Sequence, residues 1–495
     1  MIKRSSFFWA GGIGMLFTFY VSCSVRQSDD RPNILFCISD DQSFPHASAY
    51  GCKFVSTPAF DLVAGNGVLF NNGFVAAPSC GPSRASILTG KAFYQLGEAS
   101  MNHKPWPAGL RTYTDLLSEN GYHVGSGGKG WGPGKFDDRR FNPAGKPYTE
   151  IINETPGKFM NSQDYAANFN AFLEERDSRP FCYWFGPKEP HRPLEWEVGI
   201  KHGKKTEDIN EFPGFLPESD TVKKDILDYA FEIEWYDRHL MRMLDKLEEI
   251  GELENTIIVV TSDNGMAFPR GKPNVYQSGT HVPLAVSWAG KITPGQVSDA
   301  LVSITDFAPT FLEAAGIKIP EDMTSKSLIS FLTGKTRDHR EFVTFGLERH
   351  GGANRPGSTD FPTRAIRTRD YLYIKNYHPD NPPLGELEGP VWPPNDPTPG
   401  SGWSDGGPSK TYLFNNKDKY PELFNNTFVK RPTEELYDVK NDPYQLNNLA
   451  GGIHLKAIKD TLSAKLDEEL KRTQDPRILG NEQYFADMVN KTAEK

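Results

Sequence analysis

Cysteine is scarce in this sequence. The chain has five cysteines among 495 residues, and no two of them form a C-x-x-C pair. Small disulfide-stapled folds and cysteine-based zinc sites both need closely spaced cysteines. We therefore expect no disulfide framework and no such zinc site.

Long blocks of one charge are also missing. The 55 Lys and Arg residues and the 64 Asp and Glu residues are spread along the chain and give a net charge of -9. Nucleic-acid binding needs a basic stripe for the phosphates, so we expect no nucleic-acid partner. An anionic substrate is not excluded, because a local basic cluster in a cleft can oppose the net charge.

The apolar run near the start is too short to span a membrane comfortably. Residues 7–21 are mainly apolar, follow Lys3 and Arg4, and end in V-S-C at 21–23. This pattern is typical of an export signal. It predicts a signal peptide at 1–22 and a polar tether at 23–30. Cys23 is then either an ordinary signal residue or the lipid acceptor of a bacterial lipoprotein in the periplasm or at the cell surface.

Two apolar runs end in acidic or amide residues. Residues 34–38 lead into D-D at 40–41, and residues 256–260 lead into D-N at 263–264. Such runs are typical of strands buried on both faces of a parallel sheet. Open α/β sheets bind ligands at the carboxyl ends of their strands, and adjacent acidic oxygens suit calcium or magnesium. Taken alone, the pair at 40–41 is also consistent with a solvated turn and a helix cap.

The remaining patterns predict an α/β fold. Residues 218–250 have the apolar period of a helix, and residues 365–374 alternate like antiparallel strands. We expect a catalytic domain at 31–358 with a mostly parallel mixed sheet between helices, ending in a strand near 341–346. We expect a smaller subdomain at 359–495, with an antiparallel sheet and a helix, to complete the substrate cleft.

The segment S-C-G-P-S-R-A-S-I-L-T-G at 79–90 has the most specific pattern in the chain. Pro82 fixes the chain direction after Cys80, and Arg84 adds a permanent charge near the thiol. Gly90 is typical of a helix end and a turn. A cysteine by itself is most often a small buried hydrophobic residue, so the whole pattern carries the argument.

The form C-x-P-S-R followed by x-x-x-L-T-G resembles the signature of the type I sulfatases. The order P-N-I-L with D-D, then C-x-P-S-R, then T-S-D-N-G resembles the same family, which belongs to the alkaline phosphatase superfamily. The resemblance implies an alkaline phosphatase-like fold. It also implies that a formylglycine-generating enzyme oxidises Cys80 to formylglycine, whose hydrate attacks sulfur and is held by Arg84.

The same resemblance implies a calcium ion and several sulfate contacts. The implied calcium ligands are Asp40, Asp41, Asp263, Asn264 and an oxygen of the modified Cys80.

Three further segments match family positions. Lys129 lies in a segment that resembles the family's G-K-x-H, with Trp131 at the histidine position. His191 matches a histidine that protonates the leaving group. Lys272 matches a basic sulfate contact.

Substrate residues are assigned on polarity and position. The resemblance is closest to the sulfamidase-like branch, which acts on sulfated amino sugars, although Lys272 stands where that branch has arginine. The residues that we expect to contact the sugar are Glu98, His103, Trp131, Arg192, His281, Glu348, Arg349 and His350. Residues 381–409, with Trp392 and Trp403, form either a linker or a cap over the sugar cleft.

The function that follows is the hydrolysis of sulfate from a sulfated sugar, such as a glycosaminoglycan or a mucin-type glycan. Three alternatives remain open: an N-sulfoglucosamine sulfamidase, a phosphate or phosphonate ester hydrolase, and a non-catalytic glycan-binding protein in which Cys80 stays a thiol.

Overall fold

The computed structural model describes residues 31–350, 360–385 and 405–491. The predicted signal peptide, Cys23, Trp392 and Trp403 lie outside the described residues. The strands are β1 (Asn33–Ser39), β2 (Gly67–Phe74), β3 (Lys104–Pro105), β4 (His123–Gly128), β5 (Gly134–Lys135), β6 (Lys146–Pro147), β7 (Phe181–Gly186), β8 (Thr256–Ser262), β9 (His281–Ser287), β10 (Gln296–Ser298), β11 (Val302–Ser303), β12 (Val343–Leu347), β13 (Thr363–Arg367), β14 (Tyr371–Asn376) and β15 (Glu434–Asp438).

The helices surround these strands. They are α1 (Pro58–Gly65), α2 (Cys80–Thr89), α3 (Tyr113–Glu119), α4 (Tyr165–Glu174), α5 (Val198–Lys201), α6 (Asp220–Glu249), α7 (Gln277–Thr280), α8 (Phe307–Ala314), α9 (Ile329–Leu332), α10 (Pro408–Asn415), α11 (Pro421–Phe428), α12 (Lys456–Arg472) and α13 (Gln483–Lys491). The helix predicted at 218–250 is confirmed as α6. Within the described ranges, no helix is both long enough and apolar enough to cross a membrane.

The large sheet is mixed and mostly parallel, as predicted. Its strand order is β10-β2-β9-β8-β1-β7-β4-β6, and β11 pairs with β2 at one side. β1 pairs in parallel with both β7 and β8, whereas β9 runs antiparallel to β8 and β2. β1 and β8 therefore lie side by side in the centre and end at the same edge.

Both faces of the central strands are buried, which explains their unbroken apolar sequence. Ile34 and Phe36 of β1 pack on one side of the sheet with α2 and α8, and Leu35 and Cys37 pack on the other side with α4 and α6. Successive side chains of a strand point to opposite faces, so one apolar run supplies both cores. Helices cover the sheet on both sides.

A second sheet has the order β12-β13-β14-β15 and is antiparallel throughout. The predicted smaller antiparallel sheet with a helix is thus confirmed, since α12 packs on it through Leu462, Leu466 and Leu470. The strand predicted near 341–346 is present, and it belongs to this second sheet. That strand is β12. It pairs antiparallel with β13, and Phe345 lies opposite Ala365.

Candidate active site

The carboxyl ends of β1 and β8 bring the predicted acidic residues together. Ser39 and Ser262 are direct partners in the parallel register, so Asp40 and Asp263 leave the sheet as neighbours. The backbone N–H of Asp41 donates to the Asp263 carboxylate at 3.1 Å. The sheet thereby assembles one carboxylate cluster from two segments that are far apart in sequence.

Cys80 enters this cluster as the first residue of α2. All ten residues of α2 are buried, and Gly90 ends the helix with a φ of 63° as the sequence predicted. The Asn102 side chain accepts from the Gly81 N–H at 2.8 Å and donates to the Ser79 hydroxyl at 3.0 Å. These bonds fix the start of the helix, and so the position of the Cys80 sulfur.

The Cys80 thiol lies between carboxylates and a lysine. Its sulfur is 3.3 Å from Asp40 Oδ1 and 3.7 Å from Asp41 Oδ1, and the Lys272 ammonium lies 3.2 Å from it. Burial, with the Asp40 charge adding to it, raises the pKa of the thiol well above its usual value. At neutral pH the group is therefore a protonated thiol and a poor nucleophile.

Each cation of the site holds a carboxylate. Lys129 Nζ lies 2.9 and 2.7 Å from the two oxygens of Asp40. Lys272 Nζ lies 2.9 and 3.0 Å from those of Asp41. Burial opposes ionisation of Asp40, yet Lys129 and its cationic neighbours hold the pKa of that carboxyl well below its usual range. The site is thus a buried array of alternating charges.

Asp263 and Arg84 form the innermost pair. Arg84 Nε donates to Asp263 Oδ2 at 2.6 Å, and Arg84 Nη1 donates to the Lys129 carbonyl at 2.7 Å. Arg84 Nη2 is buried, lies 3.6 Å from Asp40 Oδ1, and has no hydrogen-bond partner within the described ranges. Burial raises the pKa of Asp263 to about 6, and Asp40 adds to this while Arg84 opposes it. A further positive charge would therefore stabilise the Asp263 carboxylate, and a further hydrogen-bond acceptor would stabilise Arg84.

The donor set fits a hard divalent cation. Carboxylates of Asp40 and Asp41 lie within 4.8 Å of Cys80 Sγ and His191. Asn264 Nδ2 donates to Asp41 Oδ1 at 2.6 Å, while Asn264 Oδ1 is buried with no partner in the part of the chain that the structure describes. An orphaned amide oxygen beside carboxylates is a free ligand of the kind that calcium takes.

His191 lies at the rim of the cluster. Its Nδ1 is 2.6 Å from the Arg192 carbonyl, which fixes the ring with Nδ1 as the donor. Its Nε2 then faces the cluster, 3.8 Å from Asp41 Oδ2. A quarter of the side chain is exposed, 26%, so Nε2 is placed between the buried charges and solvent.

Three of the predicted sugar contacts have other partners. Arg192 makes two bonds to Asp225, at 2.9 and 2.7 Å. Trp131 is buried and donates through Nε1 to the Gly81 carbonyl at 3.1 Å. His281 is stacked between aromatic rings and bonds to the Asn71 carbonyl through Nε2. Trp131 thus holds the residue that follows Cys80, Arg192 is bonded to α6, and His281 packs between Phe44 and Phe74.

The other predicted sugar contacts include a residue with buried partners and residues near the nucleophile segment. Glu348 is buried between Arg364 and Arg477, at 2.6 and 2.7 Å. His350 Nδ1 lies 3.0 Å from the Ser79 hydroxyl, beside the nucleophile segment. Arg349 lines a small cavity together with His350. Glu98 is half-buried, and His103 is exposed at a φ of 62°. Their roles in substrate binding stay predictions.

Asp405 is a site residue that the sequence did not reveal. Its carboxylate lies 3.4 Å from the Lys272 ammonium, and 30% of the side chain is exposed. The following Ser409 anchors this segment, because its N–H and hydroxyl both donate to Asp225, at 3.1 and 2.5 Å. Asp405 lies in a stretch rich in Gly, Pro and Asp, where no periodicity marks one carboxylate above the others.

The mixed, mostly parallel sheet between helices and the smaller antiparallel sheet form an alkaline phosphatase-like fold. A solved structure of a protein in complex with D-glucosamine-2-N,6-O-disulfate as its substrate has this fold. It superposes with a TM-score of 0.64 at 22% identity, covering 90% of this chain and 98% of that one.

Family comparisons identify the type of hydrolase. The sulfatase family model matches residues 32–317, and the model of the C-terminal region of N-sulphoglucosamine sulphohydrolase matches residues 271–383. An ulvan-active sulfatase of Formosa agariphila is 30% identical over 90% of this chain and 81% of its own length. The human N-sulphoglucosamine sulphohydrolase is 27% identical over 90% and 92%. The chain belongs to the sulfatase family and is a sulfuric ester hydrolase.

Proposed function

We propose that this sulfatase removes sulfate from a sulfated sugar, using formylglycine made from Cys80 and a calcium ion. One observation carries the proposal: a buried Cys80 sulfur lies within hydrogen-bonding distance of both the Lys272 ammonium and the Asp40 carboxylate. Two relatives support the substrate class, because their names place their activity on ulvan and on N-sulphoglucosamine.

The thiol itself is unsuited to attack sulfur. Burial and Asp40 raise the pKa of the thiol more than Lys129 and Lys272 lower it, so Cys80 is held as a protonated thiol. Formylglycine at this position would supply an aldehyde hydrate as the nucleophile, with its oxygens where the structure has Sγ. Lys272, 3.2 Å from that sulfur, and Arg84, with its unpartnered Nη2, are the groups that would hold those oxygens.

Calcium would be held by Asp40, Asp41, Asp263 and Asn264. The unpartnered Asn264 Oδ1 and the raised pKa of Asp263 support this assignment. The ion would supply positive charge next to the reacting oxygens.

The cations of the chain would neutralise the sulfate group. Lys129 and Lys272 each hold a carboxylate that calcium would share, and the N–H groups released in that way would donate to sulfate oxygens. His191 would give a proton from Nε2 to the departing sugar oxygen or nitrogen, because Nδ1 is already committed to a carbonyl.

An N-sulfate is the second candidate substrate. The family model named for the C-terminal region of N-sulphoglucosamine sulphohydrolase matches residues 271–383, a range that contains Lys272, Arg349 and His350. This range contributes both to the nucleophile site and to the rim around it. We therefore include N-sulfated glucosamine beside O-sulfated sugars in the substrate test.

The deciding test has two parts. Mass spectrometry of the peptide that carries Cys80, from protein produced with a formylglycine-generating enzyme, should show an aldehyde in place of the thiol. Sulfate release should then be measured on O-sulfated and N-sulfated sugars with calcium, beside matched phosphate esters. An intact thiol in the native host would favour a glycan-binding protein, and faster phosphate release would favour a phosphate ester hydrolase.

We also propose export with lipid attachment at Cys23. The support is the sequence of residues 3–23, with its basic start, apolar middle and V-S-C ending. Metabolic labelling with a fatty acid should mark the wild-type chain and leave a Cys23→Ala variant unlabelled. Labelling of both would contradict the assignment.

A further inference from the structure

A second cavity lies next to the segments that carry the carboxylate cluster. It has a volume of about 450 Å³, within the range of roughly 300–1,000 Å³ that is usual for small-molecule sites. Ser43, two residues after Asp41, and Met266, two residues after Asn264, form part of its wall. None of the cluster residues lines it, so this cavity is separate from the proposed nucleophile site.

Arg367, at the end of β13, lines this cavity and is a buried cation. Only 4% of the residue is exposed. Its Nη2 donates to Gln277 Oε1 at 3.3 Å, while Nε and Nη1 have no hydrogen-bond partner in the ranges that the structure describes. Burial lowers the pKa of Arg367 to about 10, so the guanidinium stays charged at neutral pH.

A buried charge without a bonded counter-ion is costly. The charge of Asp370 acts on Arg367, but Asp370 pairs with Lys440 and does not line the cavity. On the wall itself the imidazole of His281 is neutral, since burial lowers its pKa to about 3. Glu211, the carboxylate on the cavity wall, is exposed and accepts from the Tyr444 hydroxyl at 3.1 Å. An anionic group in the cavity would give the guanidinium the partners that it lacks.

The rest of the wall suits a sugar. Phe44, Tyr50 and Tyr444 are half-buried rings on the cavity wall, and flat aromatic faces pack against the apolar faces of sugars. Phe44 stacks on His281 at 4.0 Å, His281 on Phe74 at 4.6 Å, and the Arg367 guanidinium lies 5.4 Å from the Phe74 ring. Phe44 and His281 line the cavity, and Phe74 connects their stack to the Arg367 guanidinium.

We propose that this cavity is a second glycan-binding site, in which Arg367 holds the sulfate or carboxylate of an anionic sugar unit. The choice of a glycan rests on the proposed function, whereas the demand for an anion rests on Arg367 alone. The site would hold a part of the polysaccharide that is not being cleaved. Lys272 lies in the loop that leads into α7, and Gln277 is the first residue of that helix, so one short segment contacts the nucleophile at Lys272 and this cavity at Gln277.

The test uses a Cys80→Ala chain, which binds substrate without turnover. Calorimetric titration with a sulfated oligosaccharide should show two binding events. Adding Arg367→Gln should weaken one of them by roughly tenfold or more, the usual loss for a bond to a charged group. Arg369→Gln is the matched control, because Arg369 is 52% exposed, pairs with Asp338, and loses the same charge.

A second variant tests the site if Arg367→Gln does not fold. Asn72→Trp at the half-buried rim fills the cavity and leaves the guanidinium in place. It should abolish the same binding event. Comparing a sulfated oligosaccharide with an uronate-containing one that lacks sulfate shows which anionic group is held.

Other outcomes would overturn the proposal. A single binding event that Arg367→Gln leaves unchanged, or equal affinities for Arg367→Gln and Arg369→Gln, would show that the cavity does not bind the glycan. The proposed function is tested separately by sulfate release from the matured wild-type protein. Two binding events without sulfate release would reject the catalytic function and keep the second site.

Discussion

Lys272 Nζ lies 3.2 Å from Cys80 Sγ, although 192 residues separate the two along the chain. Both side chains are buried, and the same ammonium holds Asp41. A cation in this position can stabilise charge on a group at position 80 and on a substrate oxygen at once. Because Lys272 is buried, water cannot take the place of its ammonium group.

Replacing Lys272 should therefore reduce turnover strongly. We expect Lys272→Gln to lower kcat by about 100-fold, the usual loss for one donor to a developing charge. Lys272→Arg should recover part of the rate. Steady-state kinetics on one sulfated sugar measures this, with the exposed Lys291→Gln as control. Equal rates for the two Gln variants would contradict a role for Lys272.

Asp405 should affect how Lys272 meets the substrate. Its carboxylate lies 3.4 Å from the ammonium, so Asp405→Asn leaves Lys272 paired with Asp41 alone. We expect kcat/KM to fall roughly tenfold, by about the worth of one charged hydrogen bond. Asp405→Glu should restore part of the loss, and the exposed Asp418→Asn should cause none. An unchanged kcat/KM in Asp405→Asn would remove this residue from the site.

Calcium should stabilise the protein through Asn264. At a calcium concentration about 100 times its Kd, binding adds about 2.7 kcal/mol to the free energy of unfolding. Thermal melts with calcium and with a chelator should show this gain in the wild type and little of it in Asn264→Ala, which loses the unpartnered amide oxygen. A gain of the same size in both proteins would place the ion elsewhere.

Buried histidines should make the fold sensitive to acid. Burial lowers the pKa of His281 to about 3, whereas an unfolded histidine has a pKa near 6.5. Between these values the unfolded chain binds the extra proton, so this contribution to stability is present above about pH 6.5 and is lost as the pH falls toward 3.

The corresponding variant is His281→Gln. It should be less stable than the wild type at pH 7.5, because the stack with Phe44 and Phe74 is lost. Its melting temperature should fall less between pH 6.5 and pH 4 than that of the wild type. Parallel pH curves for the two proteins would show that His281 does not carry this dependence.

Glu348 should matter for stability. It is buried and bonded to Arg364 and Arg477, so Glu348→Ala leaves two buried guanidinium groups short of a partner. Breaking a buried ion pair in this way costs about 3–5 kcal/mol of the free energy of unfolding. Denaturant unfolding measures it. A variant of normal stability and raised KM would instead support the sequence prediction that Glu348 contacts the sugar.

The sequence predicted the central site because the relevant information is local. An apolar run followed directly by D-D or D-N determines a buried strand with carboxylate or amide groups at its end. Parallel pairing of two such strands then requires Asp40 and Asp263 to meet. The C-x-P-S-R segment determines its own helix in the same way, since α2 starts at Cys80 and ends before Gly90. Local pattern and strand pairing were sufficient here.

The rim of the site was decided by tertiary packing alone. Glu348, Arg192 and His281 are polar residues near loop ends, and nothing local shows whether such a side chain faces a ligand or a buried partner. Their partners Arg477, Asp225 and Asn71 lie 129, 33 and 210 residues away along the chain. Asp405 reaches the site through a long-range contact as well, since Ser409 of its segment is bonded to Asp225 of α6. The sequence thus determined the strands and the nucleophile segment, and long-range contacts decided which charges surround them.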